Sequence, residues 1–276
     1  MDRFIKAVTV VPDGDLAVSH EFGVAYQTDM GAARVPYDAD YLAKCRAYEG
    51  NDISNAVNAG RCALLMRHLD AGAAVLDIGA GSGAFVRVAS AWGLAVKGFD
   101  VIPETVAALR AADVFADDVS AFDAVTMWDV VEHVEDSEAT FVDMRVGAKL
   151  FVSVPVFADL ADIRKSRHYR PGEHLYYWTD AGFIKWMSMH SFLLVEQSDH
   201  EVKAGRDSIA AFAFVKKGLL RCQCGERASL ENFYWPGRPM RWFVKCWHCE
   251  TSGPNGGSAA DAVSAWNSEL ACSRQS

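Results

Sequence analysis

Residues 75–85 read VLDIGAGSGAF. A short apolar run carrying Asp77 gives way to Gly79, Gly81 and Gly83, and an apolar series, AFVRVASAWG, comes next. The first part has the length of a buried strand, and the second has helical spacing with Gly93 just past its end. Glycines at such a junction let the backbone turn sharply and approach a ligand, with helix amides facing it. The spacing is G-x-G-x-G, because Ala84 stands where the dinucleotide pattern G-x-G-x-x-G needs its third glycine. Asp100, 21 residues after Gly79, closes the next strand in GFD, where an acidic side chain can accept both hydroxyls of a ribose. A pyrophosphate needs an anion cradle, whereas a loop opened by an aspartate suits a cationic or zwitterionic nucleoside.

Working outward, the strand–helix alternation continues. LAVKGFD reads as a strand, and PETVAALRAA as a helix with Pro103 at its first position. AFDAVTMWD is a strand, VEDSEATFVDMRV a helix and KLFVSVP a strand. TDAGFIKWMSMHSF is a helix, and SFLLVEQSD and SIAAFAFVKK form a strand pair suited to an antiparallel edge. This pattern predicts an α/β fold, doubly wound and Rossmann-like, with a mostly parallel sheet and helices on both faces. Upstream, YDADYLAKCRAYEG and DISNAVNAGRCALLMRHL are helical, the second capped by Asp52 or Ser54. The opening stretch turns at Pro12-Asp13-Gly14-Asp15 and fits a hairpin or arm. The expected division is an arm over 1–36, a main domain over 37–217 and a small module over 221–276.

Charge divides the chain along the same line. Residues 1–220 carry 21 Lys/Arg and 31 Asp/Glu, a net of −10, while 221–276 carry a net of +1. An acidic body argues against phosphate binding over its whole surface, though not against a local basic groove. No apolar run approaches the ~18 residues that span a bilayer, and the start lacks a signal-peptide core, so the expected address is cytoplasmic, without a membrane partner. In that reducing setting the seven cysteines are thiols or metal ligands before they are disulfides.

DIGAGSGAF, FDVIPETV and FDAVTMWDVVEHVED together resemble the class I S-adenosylmethionine-dependent methyltransferases, of the methyltransferase-11/ubiquinone-methyltransferase-like kind, over about residues 40–215. The resemblance implies a seven-stranded sheet with the pocket at the carboxyl ends of the strands. It implies that Asp77 and the loop Gly79, Ala80, Gly81 and Gly83 face the methionine part of the cofactor. Asp100, with Val101 beside it, would hold the ribose; Asp117 and Asp118 would lie near the adenine; Trp128 and Asp129 would border the transfer site.

WDVVEHVED offers Asp129, Glu132 and His133 at spacings that place them on one side of a helical turn. Three readings stand side by side. His133 is a general base for the acceptor's proton; or the three side chains hold a divalent metal, as the resemblance suggests; or Glu132 and His133 only anchor the turn. RHYRPGEHLYYWTDAGF (167–183) gathers His168, Arg170, His174, Tyr176, Tyr177 and Trp178 before Thr179, a candidate N-cap. By resemblance this region covers the acceptor, which adds His174 to the catalytic candidates His133 and Asp129. The Asp/Asn-Pro-Pro-aromatic motif of exocyclic-amine DNA methylases is absent after Asp129, and so is a Pro-Cys nucleophile.

The tail reads RCQCGE (221–226) and KCWHCE (245–250). Two close cysteine pairs, Cys222/Cys224 and Cys246/Cys249, separated by strand-like sequence, suit a tetrahedral structural zinc, with redox chemistry or idle thiols as the other options. The first knuckle is one residue short of C-x-x-C, which leaves a place for help from His248 or Cys272. The ordered set C-x-C-G, W-F-V-x-C-x-x-C, T-S-G-P and DAVSAWN resembles the Lar-type zinc ribbon of restriction alleviation, which implies a phage or prophage source and a host-cytoplasm address. Arg238, Arg241, Lys245 and the aromatics Tyr234, Trp235, Trp242 and Trp247 are candidates for nucleic-acid contact, or for a small core. The expected activity is methyl transfer to an oxygen or nitrogen of a small-molecule or nucleotide-like acceptor. The alternatives are a ribbon-guided nucleic-acid or modified-base methyltransferase, and a non-catalytic anti-restriction or nucleic-acid-binding protein.

Overall fold

The computed structural model describes residues 10–29, 35–218, 222–224, 228–233, 241–246, 248–257 and 261–267. The N-terminal segment forms β1 (Val11–Asp13), β2 (Leu16–Ser19) and β3 (Val24–Gln27), with the first turn at Gly14-Asp15 as its sequence implies. Then come α1 (Ala39–Ala47) and α2 (Asp52–His68). Asn51, not Asp52 or Ser54, caps α2, its side chain accepting from the Ser54 amide at 2.8 Å. An asparagine one position earlier does the same work with the same geometry.

The sheet is built from β4 (Ala74–Ile78), α3 (Ala84–Ala91), β5 (Ala95–Phe99), α4 (Pro103–Ala111), β6 (Ala124–Trp128), α5 (Ser137–Asp143) and β7 (Lys149–Pro155). After β8 (Tyr176–Trp178) come α6 (Asp180–Met189), β9 (Phe192–Ser198), α7 (His200–Lys203) and β10 (Ile209–Lys216). The strand order is β5–β4–β6–β7–β10–β9, with β10 antiparallel to both neighbours. Six strands stand where seven were expected. The seventh shrinks to one parallel bridge between Gly98 and Phe115, because Asp113 turns with positive φ and Asp118 then caps a 3-10 turn over 119–121.

Alternate residues feed the two faces, as strand geometry requires. Val125, Met127, Leu150 and Val152 join Phe183, Trp186, Phe212 and Phe214 on one side; Phe151 and Ala211 join Leu64, Leu65, Phe85 and Ala89 on the other. Polar faces are scarce in β6 and β7, which fits strands covered on both sides. The N-terminal strands are not a loose arm: β3 pairs with β8, giving a second sheet in the order β1–β2–β3–β8 over the carboxyl pole. Thr179 caps α6 through the Gly182 amide.

The tail holds an antiparallel pair, β11 (Ser229–Phe233) and β12 (Arg241–Lys245), and a helical stretch over 261–267. Trp242 is buried against Ala262 with Met189 of α6 beside it, so it is core rather than a stacking surface. The Asn267 side chain donates to the Gly218 carbonyl at 2.7 Å. Tyr234, Trp235, Arg238, Trp247 and Cys272 lie outside the described residues. Among the described residues no helix is long and apolar enough to cross a membrane.

Candidate functional site

The chain leaves β4 for β5 on one side and returns for β6 on the other, so the crevice at the carboxyl ends of β4 and β6 is the switch point where open sheets bind ligands. Asp77 sits there, 2% exposed, and accepts from the Thr126 hydroxyl of β6 at 2.6 Å. Burial pushes its pKa up to about 7 despite that hydrogen bond.

The loop after β4 has Gly79, Gly81 and Gly83 all at positive φ, between 55° and 76°. Four of its five amides are spent internally. Those of Gly79 and Ala80 go to the Phe99 carbonyl, that of Gly83 to the Ala80 carbonyl, and that of Gly81 to the Asp100 carboxylate at 2.6 Å. Those four donors are closed to a phosphate. Asp100, buried at the end of β5, also accepts from the Ile102 amide at 2.9 Å. Its carboxylate retains lone pairs beyond those two bonds for a pair of hydroxyls. Val101 beside it is 69% exposed, an apolar shelf at the rim. Asp117 is exposed; Asp118 accepts from the Ser120 amide and hydroxyl as a cap, and those bonds lower its pKa.

Helix α1 lies over this loop. The Cys45 sulfur is 3.9 Å from where a β-carbon on Gly81 would stand, and burial, then the Asp100 charge, raises the thiol pKa. One turn earlier Tyr41 packs edge-on against Tyr37 at 4.9 Å, and burial raises its phenol well above the ordinary range. Neither residue stands in a motif that would single it out from sequence alone.

Trp128 at the end of β6 is buried against Phe85 and under the Arg61 guanidinium, so its ring does not face an open site. Asp129 takes φ 58°, and the 3-10 turn after it spans Val131–His133. The Asp129 carboxylate is not among the ligand atoms that Glu132 and His133 bring together, contrary to the grouping expected from spacing. Asp129 faces Arg61 and Arg206 at 3.2 and 2.9 Å, and Ser153 at 3.2 Å. Burial opposes its charge, but Arg206 and Arg61 outweigh burial and hold the pKa down to about 2. A carboxylate so engaged is a weak proton acceptor near neutral pH.

His174 takes the place left by Asp129. Its ring meets that of His133 at 4.7 Å, nearly perpendicular, and ligand atoms of Glu132, His133 and His174 all lie within 4.8 Å of one another. His133 Nδ1 is 2.8 Å from the Glu173 carbonyl, which can only accept, so Nδ1 carries the proton and Nε2 a lone pair. Burial lowers the pKa of His133, and brings that of His174 to about 3, keeping both rings neutral. Glu132 is buried with its pKa raised well above the usual range by burial, then by Asp129. Its Oε2 and His174 Nδ1 have no hydrogen-bond partner among the described residues.

In the tail the four cysteines converge. Cys222 and Cys249 sulfurs are 3.4 Å apart, Cys224 and Cys246 3.6 Å, and all four fall within 4.8 Å. The missing residue in the first knuckle does not keep Cys224 from the cluster. Hydrogen bonding from Thr251 lowers the Cys249 thiol pKa to about 6, so it is largely thiolate at neutral pH, the form that binds metal.

Sequence comparison matches residues 56–197, just over half of the chain, to the family described as "Methyltransferase domain". No curated protein matches the chain by sequence. Among solved structures, one from the complex between the Haloferax volcanii Trm112 methyltransferase activator and a methyltransferase is 17% identical, covering 65% of this chain and 97% of that one with a TM-score of 0.50. Another is the Burkholderia thailandensis 1,6-didemethyltoxoflavin-N1-methyltransferase with its substrate and S-adenosylhomocysteine, at 19% identity, 77% and 100% coverage and a TM-score of 0.47. At 17% identity the first of these likenesses is one of fold.

Proposed function

The chain belongs to the methyltransferase-domain family, and from that premise we propose that it moves the methyl group of S-adenosylmethionine to an oxygen or nitrogen of a small-molecule or nucleotide-like acceptor. One observation carries the choice of donor: four of the five amides of the glycine turn at the switch point are engaged within the protein, and two carboxyl groups, Asp77 and Asp100, stand beside it. That chemistry suits a cationic sulfonium with a ribose and not a phosphate. When bound, the cofactor supplies an already activated methyl group, so alignment provides much of the rate. Asp77 and the glycine turn would hold the methionine end. Asp100 would take the ribose hydroxyls, with Val101 and the Asp117–Asp118 segment toward the base.

His133 would accept the acceptor's proton at Nε2, its tautomer fixed by the bond from Nδ1 to Glu173. Asp129, expected among the catalysts, is tied up in ion pairs and drops out of that role. The test uses methyl-labelled cofactor offered with nucleosides, phenols and amines. Label should reach one of these classes and do so roughly a hundredfold more slowly in His133→Gln. An undiminished rate would remove His133 from the base role.

Two orphaned buried atoms, Glu132 Oε2 and His174 Nδ1, favour a second reading of the same corner. A carboxylate and two neutral imidazoles are a donor set for Zn²⁺, Mn²⁺ or Fe²⁺. The ion would join Glu132, His133 and His174, with Asp129 outside its reach of ligands. It would polarise an acceptor oxygen in place of a base. A melting-temperature rise on adding Mn²⁺, lost in His174→Ala, would support it; no rise would leave the base alone.

For the tail we propose a structural zinc on Cys222, Cys224, Cys246 and Cys249, since four thiols in reach of one centre fit the tetrahedral preference of Zn²⁺. Bound zinc would stabilise a module with too small a core to fold strongly alone. The ordered motifs of the ribbon support the Lar-type likeness and a phage source. Among the described residues Arg241, exposed on the face of β12 opposite the buried Trp242 and Val244, would meet a nucleic-acid partner.

A further inference from the structure

Four charged side chains from three distant stretches meet at the tip of β6. Arg61 Nε donates to Glu201 Oε1 at 2.7 Å, and Arg206 donates to Glu201 Oε2 at 2.6 Å. Both arginines also reach the same oxygen of Asp129, while Ser153 of β7 donates to the other. Glu201 is wholly buried, so its charge is tolerable only with both guanidinium groups in place. Arg61 is held further by the Trp128 ring beneath it, 4.8 Å away.

This clasp grips a residue in the left-handed backbone state, uncommon outside glycine and most often taken by asparagine and aspartate. Asp129 at φ 58° persists because its surroundings over-determine it, and such residues gather where a site must be held in one arrangement. The clasp therefore sets the course of the chain beyond Asp129. Val130 lies directly beneath the glycine loop: a β-carbon on Gly79 would meet its Cγ2 at 2.4 Å. The next three residues form the turn that carries Glu132 and His133. One clasp thus fixes both the floor of the glycine loop and the orientation of the His133 turn.

We propose that Glu201 is a positioning residue of the methyl-transfer site: it holds Arg61 and Arg206 on Asp129 and so keeps the glycine loop and His133 in register. The proposal rests on the reading of that loop as the methyl donor's site. Glu201 lies on α7, outside every motif in the sequence that suggested chemistry. It touches neither loop nor His133 and acts through Asp129.

The test uses the full chain in two variants. Glu201→Gln keeps the shape and removes the charge; Arg206→Lys keeps a charge and removes the fork. Melting and circular dichroism check the fold, calorimetry gives the affinity for S-adenosylmethionine, and ¹⁵N spectra of the histidines report the His133 tautomer and its titration. We expect Glu201→Gln to fold, to bind S-adenosylmethionine roughly tenfold more weakly and to shift the His133 resonances, with a smaller change of the same kind in Arg206→Lys. Wild-type affinity together with unmoved His133 signals in a folded variant would overturn the proposal. Should Glu201→Gln fail to fold, Arg206→Lys decides by the same criteria. Should the parent chain not bind S-adenosylmethionine, the donor reading fails by itself. The His133 resonances then decide the clasp: displaced signals keep it, unmoved signals end it.

Discussion

The Thr126 hydroxyl donates to Asp77 across 2.6 Å, joining β6 to β4 at the switch point of the sheet. That single bond leaves Asp77 otherwise desolvated, which is why burial can lift its pKa from 3.8 to about 7. A carboxyl whose folded value is raised contributes stability that is full below about pH 3.8 and is lost as pH rises through about 7. Asp77→Asn has no proton to lose and can still accept from Thr126. The melting temperature of the variant, relative to the parent, should therefore climb steadily between pH 4 and pH 8. A difference that stays flat over that window would mean Asp77 titrates normally.

Gly182 and Gly23 lock the N-terminal sheet to α6. A β-carbon at Gly182 would fall 1.9 Å from the Gly23 carbonyl oxygen, and this neighbour is backbone that cannot swing aside. Alanine in a helix is ordinarily better than glycine by about 1 kcal/mol, so propensity alone would predict stabilisation. The clash decides the sign: Gly182→Ala should cost about 2 kcal/mol or more in denaturant unfolding and expose residues 10–29 to protease. A more stable variant would show that β3 and β8 do not pair as described.

The alternation of strand and helix, the Pro103 start of α4, the Thr179 cap and the antiparallel β9–β10 pair could all be read from the sequence, because each rests on local spacing or a local cap. The meeting of the four cysteines was equally legible from two knuckles and the strands between them. The features that escaped reading depend on contacts made at a distance. Nothing in WDVVEH marks Asp129 for positive φ; the partners that hold it there, Glu201 and Arg206, lie more than seventy residues downstream. Arg61 left one signal, a charge among Val57, Leu64 and Leu65 on the buried face of α2, which asks for a buried partner. Trp242 stood open between nucleic-acid contact and a small core, and period-two burial on β12 places it in the core.

Zinc content offers a separate check on the tail. One zinc per chain is expected in the parent, and none after Cys246→Ser or prolonged chelation, with the near-ultraviolet signal of the buried Trp242 and Trp266 weakening in step. The main sheet carries its own core, so cofactor binding should survive the loss. Zinc retained by Cys246→Ser would place the metal elsewhere.

The central claim is that the glycine turn and Asp100 make a site for S-adenosylmethionine. Calorimetry on the full chain measures it most directly. One molecule per chain should bind with micromolar-range affinity, S-adenosylhomocysteine should compete, and Asp100→Ala should abolish the heat because it removes both the ribose acceptor and the Gly81 tie. No binding by the parent chain, or equal binding by Asp100→Ala, would contradict the account.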